Sequence, residues 1–165
     1  MKINSFLKVM MAAVAVVIGV CACSSDDDEP EVAVASQVAG TYTGTNVILI
    51  MGEGDEETVT YEFTKSSETT IDMTIPQSGD GMMAIPPLTV KNIPLTKIGK
   101  SITGSLSSYA GTVLNSAGAE KAFTVSNLMV MFEDVPKGKA VVATFTLKYG
   151  SMPFDMVTTF NGDKN

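Results

Sequence analysis

The chain has 165 residues, 45% of them hydrophobic, and it carries 18 acidic against 11 basic side chains for a formal charge of -7. A chain of this size is typical of one globular domain. It contains no His, no Trp and no Arg, which excludes a Ser/His/Asp triad and the usual zinc sites. A nucleic-acid partner is not expected either, because no basic cluster is present to neutralise its phosphates.

The first 22 residues have the organisation of a secretory signal. Lys2 and Lys8 precede an uninterrupted apolar run from Val9 to Val20, which is shorter than the roughly 20 residues of a membrane-spanning helix. The segment Val20-Cys21-Ala22-Cys23 that ends this run resembles the lipobox of bacterial lipoproteins. That resemblance implies removal of residues 1–22 and acylation of Cys23. The alternative, an ordinary secretory signal, would leave Cys23 as an exposed thiol on a secreted chain.

An acidic segment follows the predicted lipidation site. Its residues are Ser24, Ser25, Asp26, Asp27, Asp28 and Glu29. The segment resembles the export signal of surface lipoproteins from Bacteroidetes-type bacteria, which implies the outer face of the outer membrane. Read from its charge alone, it is a solvated tether kept disordered by self-repulsion. We assign residues 23–36 to this tether and start the folded domain, residues 37–165, near Gln37.

From Val38 onward the hydrophobic pattern has the period of two that is typical of β-strands. Ile71, Met73 and Ile75, for example, alternate with Thr70, Asp72 and Thr74. The pattern predicts about eight or nine strands and no amphipathic helix. The candidates are Thr41–Ile50, Thr58–Thr64, Ile71–Ile75, Met83–Val90, Ile93–Ile98, Ser101–Ser107, Ala122–Phe132, Lys139–Tyr149 and Phe154–Phe160.

The breaks between these strands carry turn residues, among them Gly52-Glu53-Gly54-Asp55 and Ser78-Gly79-Asp80-Gly81. Short strands joined by short loops predict an antiparallel meander, closed into a barrel or folded into a sandwich. Closure is favoured because it removes exposed edges. Two segments, Val47–Ile50 and Leu128–Phe132, are apolar on both faces, so we expect a loop, another chain or a ligand to cover their second face.

Three segments carry a family resemblance. The opening Val38-Ala39-Gly40-Thr41-Tyr42-Thr43-Gly44-Thr45, the apolar stretch Pro86 to Leu95 and the late strand Ala140 to Tyr149 are similar to the calycin-like β-barrel lipoproteins of Bacteroidetes-type bacteria. The resemblance covers nearly all of the domain. It implies a lipocalin-like barrel, but it does not indicate which residues would be catalytic or would bind a ligand.

The sequence contains no complete set of residues for a metal site or for catalysis. The pair Met82-Met83 has no His or Cys beside it to complete a copper site. The acidic stretch Gly52–Glu57 lacks the ligand spacing of an EF-hand and is interpreted as a solvated hairpin tip rather than a calcium site. Glu62 and Asp72 lie among Thr residues on faces predicted to be wet, so we interpret them as surface charges rather than as a glycosidase pair.

Aromatic side chains give little sign of a sugar site. The chain has no Trp and only four Tyr, namely Tyr42, Tyr61, Tyr109 and Tyr149. Tyr61 and Tyr149 alternate with core positions, and burial is therefore predicted for both.

These observations predict a non-catalytic binding module, anchored to a membrane by a lipid on Cys23, that needs no metal and no cofactor. Its partner would be a small apolar ligand held in or at the mouth of the barrel. The alternative is an interaction subunit of a surface complex, with a barrel filled by side chains and protein partners on its outer face. Internal volume distinguishes the two hypotheses.

Overall fold

The structure is a computed structural model that describes residues 33–81, 84–136 and 138–165, with Val135 described by its backbone alone. The predicted signal peptide 1–22, the predicted lipid attachment at Cys23, the acidic segment Ser24–Glu29 and the pair Met82-Met83 lie outside the described residues.

Eight antiparallel strands form a closed barrel. Each strand pairs with the next along the chain, and β8 returns to pair with β1. The predicted all-β meander, closed into a barrel, is confirmed. The elements are α1 (Val34–Val38), β1 (Gly40–Ile50), β2 (Glu53–Lys65), β3 (Thr70–Ile75), β4 (Leu88–Ile98), β5 (Ser101–Leu114), β6 (Glu120–Val135), β7 (Gly138–Tyr149) and β8 (Met156–Lys164).

The up-and-down topology gives the barrel two different ends. One end, called the closed end here, carries α1 and the β2–β3, β4–β5 and β6–β7 connections. The opposite end, called the open end, carries the β1–β2 hairpin and the connections 76–87, 115–119 and 150–155. The longer connections of the described chain thus lie at the open end.

Helix α1 belongs to the folded domain, although the sequence assigns most of it to the tether. Ala35 and Val38 are fully buried in the core, and the backbone N–H of Ala35 donates to the carbonyl oxygen of Glu68 at 3.1 Å. The hydroxyl of Tyr42 donates to the carbonyl oxygen of Val38 at 2.9 Å. The domain boundary predicted near Gln37 therefore falls inside a helix. The sequence did not predict this helix, because its five residues show no amphipathic pattern.

A β-bulge in β4 explains why one strand was predicted as two, and a second bulge lies in β6. The segments Met83–Val90 and Ile93–Ile98 were predicted as two strands, but residues from Leu88 onward form the single strand β4. Asn92 interrupts its alternation with a φ of 56°, and Asn127 does the same in β6 with a φ of 52°. Each bulge adds one residue and so exchanges the inward and outward sets of side chains.

The acidic stretch after β1 is a strand rather than a hairpin tip. The β1–β2 turn consists of Met51 and Gly52 alone, both with positive φ, as in a two-residue type I′ turn. Glu53 through Glu57 are therefore already part of β2. Gly52 lies in the predicted turn, but the extension of that turn to Asp55 and of the hairpin tip to Glu57 is wrong. Asp and Glu are depleted in strands, and this obscured the strand in the sequence.

Side chains fill the barrel from the closed end to its middle. Tyr42, Phe63 and Phe132 form an aromatic cluster with ring centroids 5.0 to 5.7 Å apart, a spacing typical of favourable edge contacts. Above it, Tyr61 and Phe160 stack with centroids 4.2 Å apart. All buried hydrophobic residues of the described chain join one cluster. Residues 33–165 thus contain their own core and pair every strand edge, as an independently folding domain does.

The outer face keeps apolar residues in contact with solvent. Leu49 is 40% exposed and Met129 is 60% exposed. The covering layer expected over the second faces of Val47–Ile50 and Leu128–Phe132 is therefore absent from the described part of the chain. Among the residues described, no helix combines the length and hydropathy needed to cross a membrane.

Replacement of Asn92 tests the bulge in β4. Asn92→Ala should lower the free energy of unfolding by about 1 kcal/mol, because a Cβ-bearing residue without a local polar side chain disfavours the left-handed conformation. Asn92→Gly should stay within about 0.5 kcal/mol of the parent, since glycine adopts positive φ freely. Urea denaturation of residues 33–165 measures both values. Equal losses for the two variants would contradict the assigned conformation.

Alkaline titration tests the burial of Tyr42. Burial raises the pKa of Tyr42 from 10.0 to about 12. As the pH rises, the unfolded chain therefore loses the Tyr42 proton before the folded chain does. The contribution of protonated Tyr42 to the free energy of unfolding is thus complete below about pH 10 and falls as the pH rises to about 12. Denaturation curves across this pH window should show that decline in the free energy of unfolding. The decline should be smaller in Tyr42→Phe, and the part that remains should come from buried Tyr61, whose pKa is also raised. A profile unchanged by Tyr42→Phe would contradict this assignment.

Candidate functional site

The candidate site is a cleft at the open end of the barrel, with a volume of about 710 Å³. Ligand sites commonly have volumes of about 300 to 1,000 Å³. We call this cleft the mouth. Most of its walls are apolar, and a smaller polar set comes from β2 and the connection 76–87. The lining residues are Ile48, Ile50, Met51, Glu53, Gly54, Asp55, Glu57, Ser78, Gly79, Ile85, Met152, Phe154 and Met156.

The connections 76–87 and 150–155 form two sides of the mouth. Ser78 and Ile85 exchange backbone hydrogen bonds of 3.1 and 2.8 Å, which fold the first connection back on itself. Ile85 is thereby 7% exposed and joins the core. From the second connection, Met152 packs partly against the core and Phe154 lines the mouth. Met side chains are flexible and suit an adaptable apolar surface.

The register of β1 against β2 places carboxylates on the inner face of the mouth. Tyr61 faces the core, and because side chains alternate along a strand, Glu57, Asp55 and Glu53 lie on the same inner face. Their partners on β1 are Asn46, Ile48 and Ile50. All three carboxylates line the mouth. No lysine lines it among the residues that the structure describes.

A polar group forms the floor beneath the mouth. The hydroxyl of Tyr61 donates to Oδ1 of Asn46 at 3.2 Å, and Nδ2 of Asn46 donates to Oε1 of Glu57 at 3.3 Å. Asn46 is only 3% exposed. One amide thus connects a buried phenol to a carboxylate at the edge of the mouth. Burial, with a smaller contribution from the charge of Glu57, raises the pKa of Tyr61 far above its ordinary value.

A small inner pocket adjoins this floor. Its volume is about 20 Å³, enough for about one water-sized group. The pocket shares Ile48, Glu57 and Met156 with the mouth. Thr158 also lines it, is 2% exposed, and makes no side-chain hydrogen bond to another described residue. The inner pocket is therefore small, and the larger volume lies at the mouth.

The tyrosines that were predicted to be buried are buried. Tyr61 is 0% and Tyr149 is 6% exposed, although the hydroxyl of Tyr149 has no hydrogen-bond partner within the described structure. Glu62 is exposed, as expected for a surface charge. Asp72 is half-buried, and its carboxylate accepts the backbone N–H of Asn92 at 2.8 Å, which supports the bulge of β4. Glu62 and Asp72 lie outside the mouth.

Sequence reasoning missed Asn46, Glu57 and Thr158 as members of one site. Asn46 and Thr158 are ordinary polar residues in apolar strands, and Glu57 was assigned to a hairpin tip. The available signal was the alternation itself, which extends from Phe63 through Tyr61 and Val59 to Glu57. The described residues contain no group of three or more His, Cys, Asp or Glu side chains placed to hold a metal ion.

The architecture and the site define a class: a small antiparallel barrel of eight strands with a filled interior and an apolar, acidic mouth. Comparison with known families is more specific. The model of the calycin-like beta-barrel domain matches residues 38–163, and the chain belongs to this family.

A solved structure supports the same fold. The crystal structure of a "putative outer membrane protein" of Bacteroides fragilis NCTC 9343 superposes with a TM-score of 0.57 at 17% sequence identity. The match covers 81% of this chain and 53% of the other, so the chain spans about half the length of that protein. At this identity the similarity concerns the fold. Comparison with curated proteins gave no match.

Removal of the Tyr61 hydroxyl tests the polar floor. Tyr61→Phe should reduce the free energy of unfolding by about 1 to 2 kcal/mol, because Oδ1 of buried Asn46 loses its donor. Tyr109→Phe is the matched control, since the Tyr109 hydroxyl makes no hydrogen bond to a described residue. Thermal and urea unfolding give both differences. Similar losses in the two variants would show that the hydrogen bond to Asn46 contributes nothing.

Proposed function

We propose that the domain is a non-catalytic binding module that takes a small, mainly apolar ligand at the mouth of the barrel. The observation that carries this proposal is the mouth itself, an apolar cleft of about 710 Å³ above a buried polar floor. Clefts with mostly apolar walls and a few convergent polar groups are the usual form of small-molecule sites.

The packing of the interior supports binding at the mouth rather than deep within the barrel. Tyr61 and Phe160 stack across the middle of the core, and the pocket above them holds only about 20 Å³. A drug-sized molecule cannot pass this layer without displacing close-packed side chains, which costs several kcal/mol. We therefore propose that the ligand lies against Ile48, Met152 and Met156, above the aromatic stack.

The location of the domain is part of the proposal. A lipid on Cys23, followed by the acidic segment Ser24–Glu29, would anchor it to the outer membrane with the barrel on the cell surface. The described chain enters the barrel through α1 at the closed end. The barrel resembles that of a "putative outer membrane protein" of Bacteroides fragilis, and this similarity supports the proposed location.

A second candidate function, contact with a partner protein, is supported by the filled interior, which the sequence analysis associates with an interaction subunit, and by the outer face of β1 and β8. Leu49 and Val157 are paired across these strands and are 40% and 47% exposed. Exposed neighbouring apolar side chains are common at protein interfaces. This surface lies outside the mouth, so the two functions can be tested separately.

Binding of a neutral apolar dye, phenylnaphthylamine, to residues 33–165 tests the proposal. Saturable fluorescence enhancement with one site per chain is expected. Ile48→Ala should weaken binding about fivefold, because it removes apolar contact area worth about 1 kcal/mol. Leu49→Ala on the outer face is the matched control and should leave binding unchanged.

Two results would contradict binding at the mouth. Absence of saturable binding would remove the proposed function. If Ile48→Ala and Leu49→Ala weakened binding equally, the dye would be assigned to the outer face, and contact with a partner protein would be the favoured function. A thermal unfolding curve for each variant shows that the loss does not come from an unfolded chain.

A further inference from the structure

We infer that the ligand of the mouth is an apolar molecule with a single primary ammonium group, bound with the ammonium at the inner pocket and the apolar part in the mouth. This inference rests on the proposed function and adds the chemical class of the ligand. It follows from the sign of the charges in the mouth, from the hydrogen-bonding groups at its floor, and from the size of the inner pocket.

Three carboxylates of β2 give the mouth a negative charge. Glu53, Asp55 and Glu57 occupy three successive inward positions of β2 and all line the mouth. The same face of β2 holds Tyr61 and Phe63 in the core further along the strand, whereas Glu53 and Asp55 are exposed at its open end. Glu57 is half-buried, and the apolar wall beside it reduces its contact with water and strengthens its field.

No described cation offsets this charge. The lysines nearest to the open end in the described sequence are Lys121 and Lys148. Lys121 lies beside Gly150, and Lys148 is exposed on the outer face of β7. The other acidic residues of the open end, such as Asp80 and Asp155, are exposed and add to the negative potential. An anionic ligand would be repelled, and a neutral one would gain nothing from these carboxylates.

The floor offers hydrogen-bond acceptors that lack donors. Oε1 of Glu57 accepts from Asn46, but the second carboxylate oxygen makes no hydrogen bond to a described residue. Thr158 lines the inner pocket and is only 2% exposed. Its hydroxyl makes no hydrogen bond to a described residue. A primary ammonium has three donors and no acceptor, so it complements both groups.

The size of the inner pocket selects the kind of cation. A volume of about 20 Å³ admits a group of about the size of one water molecule, and a primary ammonium is of that size. A quaternary ammonium carries three additional methyl groups and would remain in the mouth. The apolar part of the ligand then lies against Ile48, Ile50 and Met156, which line the way out.

Isothermal titration calorimetry of residues 33–165 with four probes of equal chain length tests this inference. The probes are octylammonium, octyltrimethylammonium, octanol and octanoate. Octylammonium should bind at least about tenfold more tightly than octanol at low salt, because carboxylates near a partly buried cation each contribute on the kcal/mol scale. Octanoate should bind more weakly than octanol, and octyltrimethylammonium more weakly than octylammonium. The preference should decrease with added salt.

Matched variants separate the mouth from the total charge. The combined change Glu53→Gln, Asp55→Asn and Glu57→Gln should reduce the preference for octylammonium over octanol to about threefold or less. The control changes the same number of exposed carboxylates elsewhere: Glu56→Gln, Glu62→Gln and Glu133→Gln. It alters the net charge equally and should leave the preference unchanged.

Each contrary result has a distinct meaning. If octanol or octanoate binds as tightly as octylammonium, the ligand class is wrong while binding at the mouth stands. Equal binding of the two cations would overturn the placement of the ammonium in the inner pocket. Equal effects of the two sets of variants would assign the preference to net charge and overturn the role of the mouth. If none of the four probes binds, the proposed function fails together with this inference.

Discussion

Closure of the barrel by β1 against β8 is the interaction on which the rest of the structure depends. Towards the closed end of this seam Gly44 pairs with Gly162. A Cβ on Gly44 would lie 1.9 Å from the carbonyl oxygen of Asn161, so a side chain there would separate the strands. A Cβ on Gly162 would meet the ring of Phe160. The two glycines therefore let the strands and the Phe160 ring approach closely, and the ring then stacks on Tyr61 and fills the middle of the barrel.

This filled middle determines where a ligand can bind. Below the stack of Tyr61 and Phe160, aromatic and aliphatic side chains pack together, so the proposed binding site lies at the open end. Above the stack, β1 supplies Ile48 and Ile50, while β2 supplies carboxylates in the opposing inward positions. Asn46 links the two regions because it hydrogen-bonds both Tyr61 and Glu57. The same strand pair that closes the core thus builds an apolar site with a negative rim, and the chemistry of the proposed ligand follows from that composition.

Much of the fold could be predicted from the sequence, and the errors have physical causes. Strand β3 alternates without interruption, so its buried face was predicted correctly. Strand β4 contains a bulge at Asn92, which shifts the alternation and makes one strand look like two. The site was harder to predict, because Glu57 meets Asn46 only through the register that the Met51-Gly52 turn imposes. A window of local sequence contains neither that register nor the return of Thr158 on β8 to the same pocket.

The most direct test of this account is a map of the binding site by nuclear magnetic resonance. Residues 33–165 would be titrated with octylammonium, and backbone and methyl chemical shifts would be followed. Shifts centred on Ile48, Glu57 and Met156, with unchanged signals from the cluster of Tyr42 and Phe132, are the result that the account predicts. Shifts centred on the outer face at Leu49, or a spectrum that does not change at saturating ligand, would contradict it.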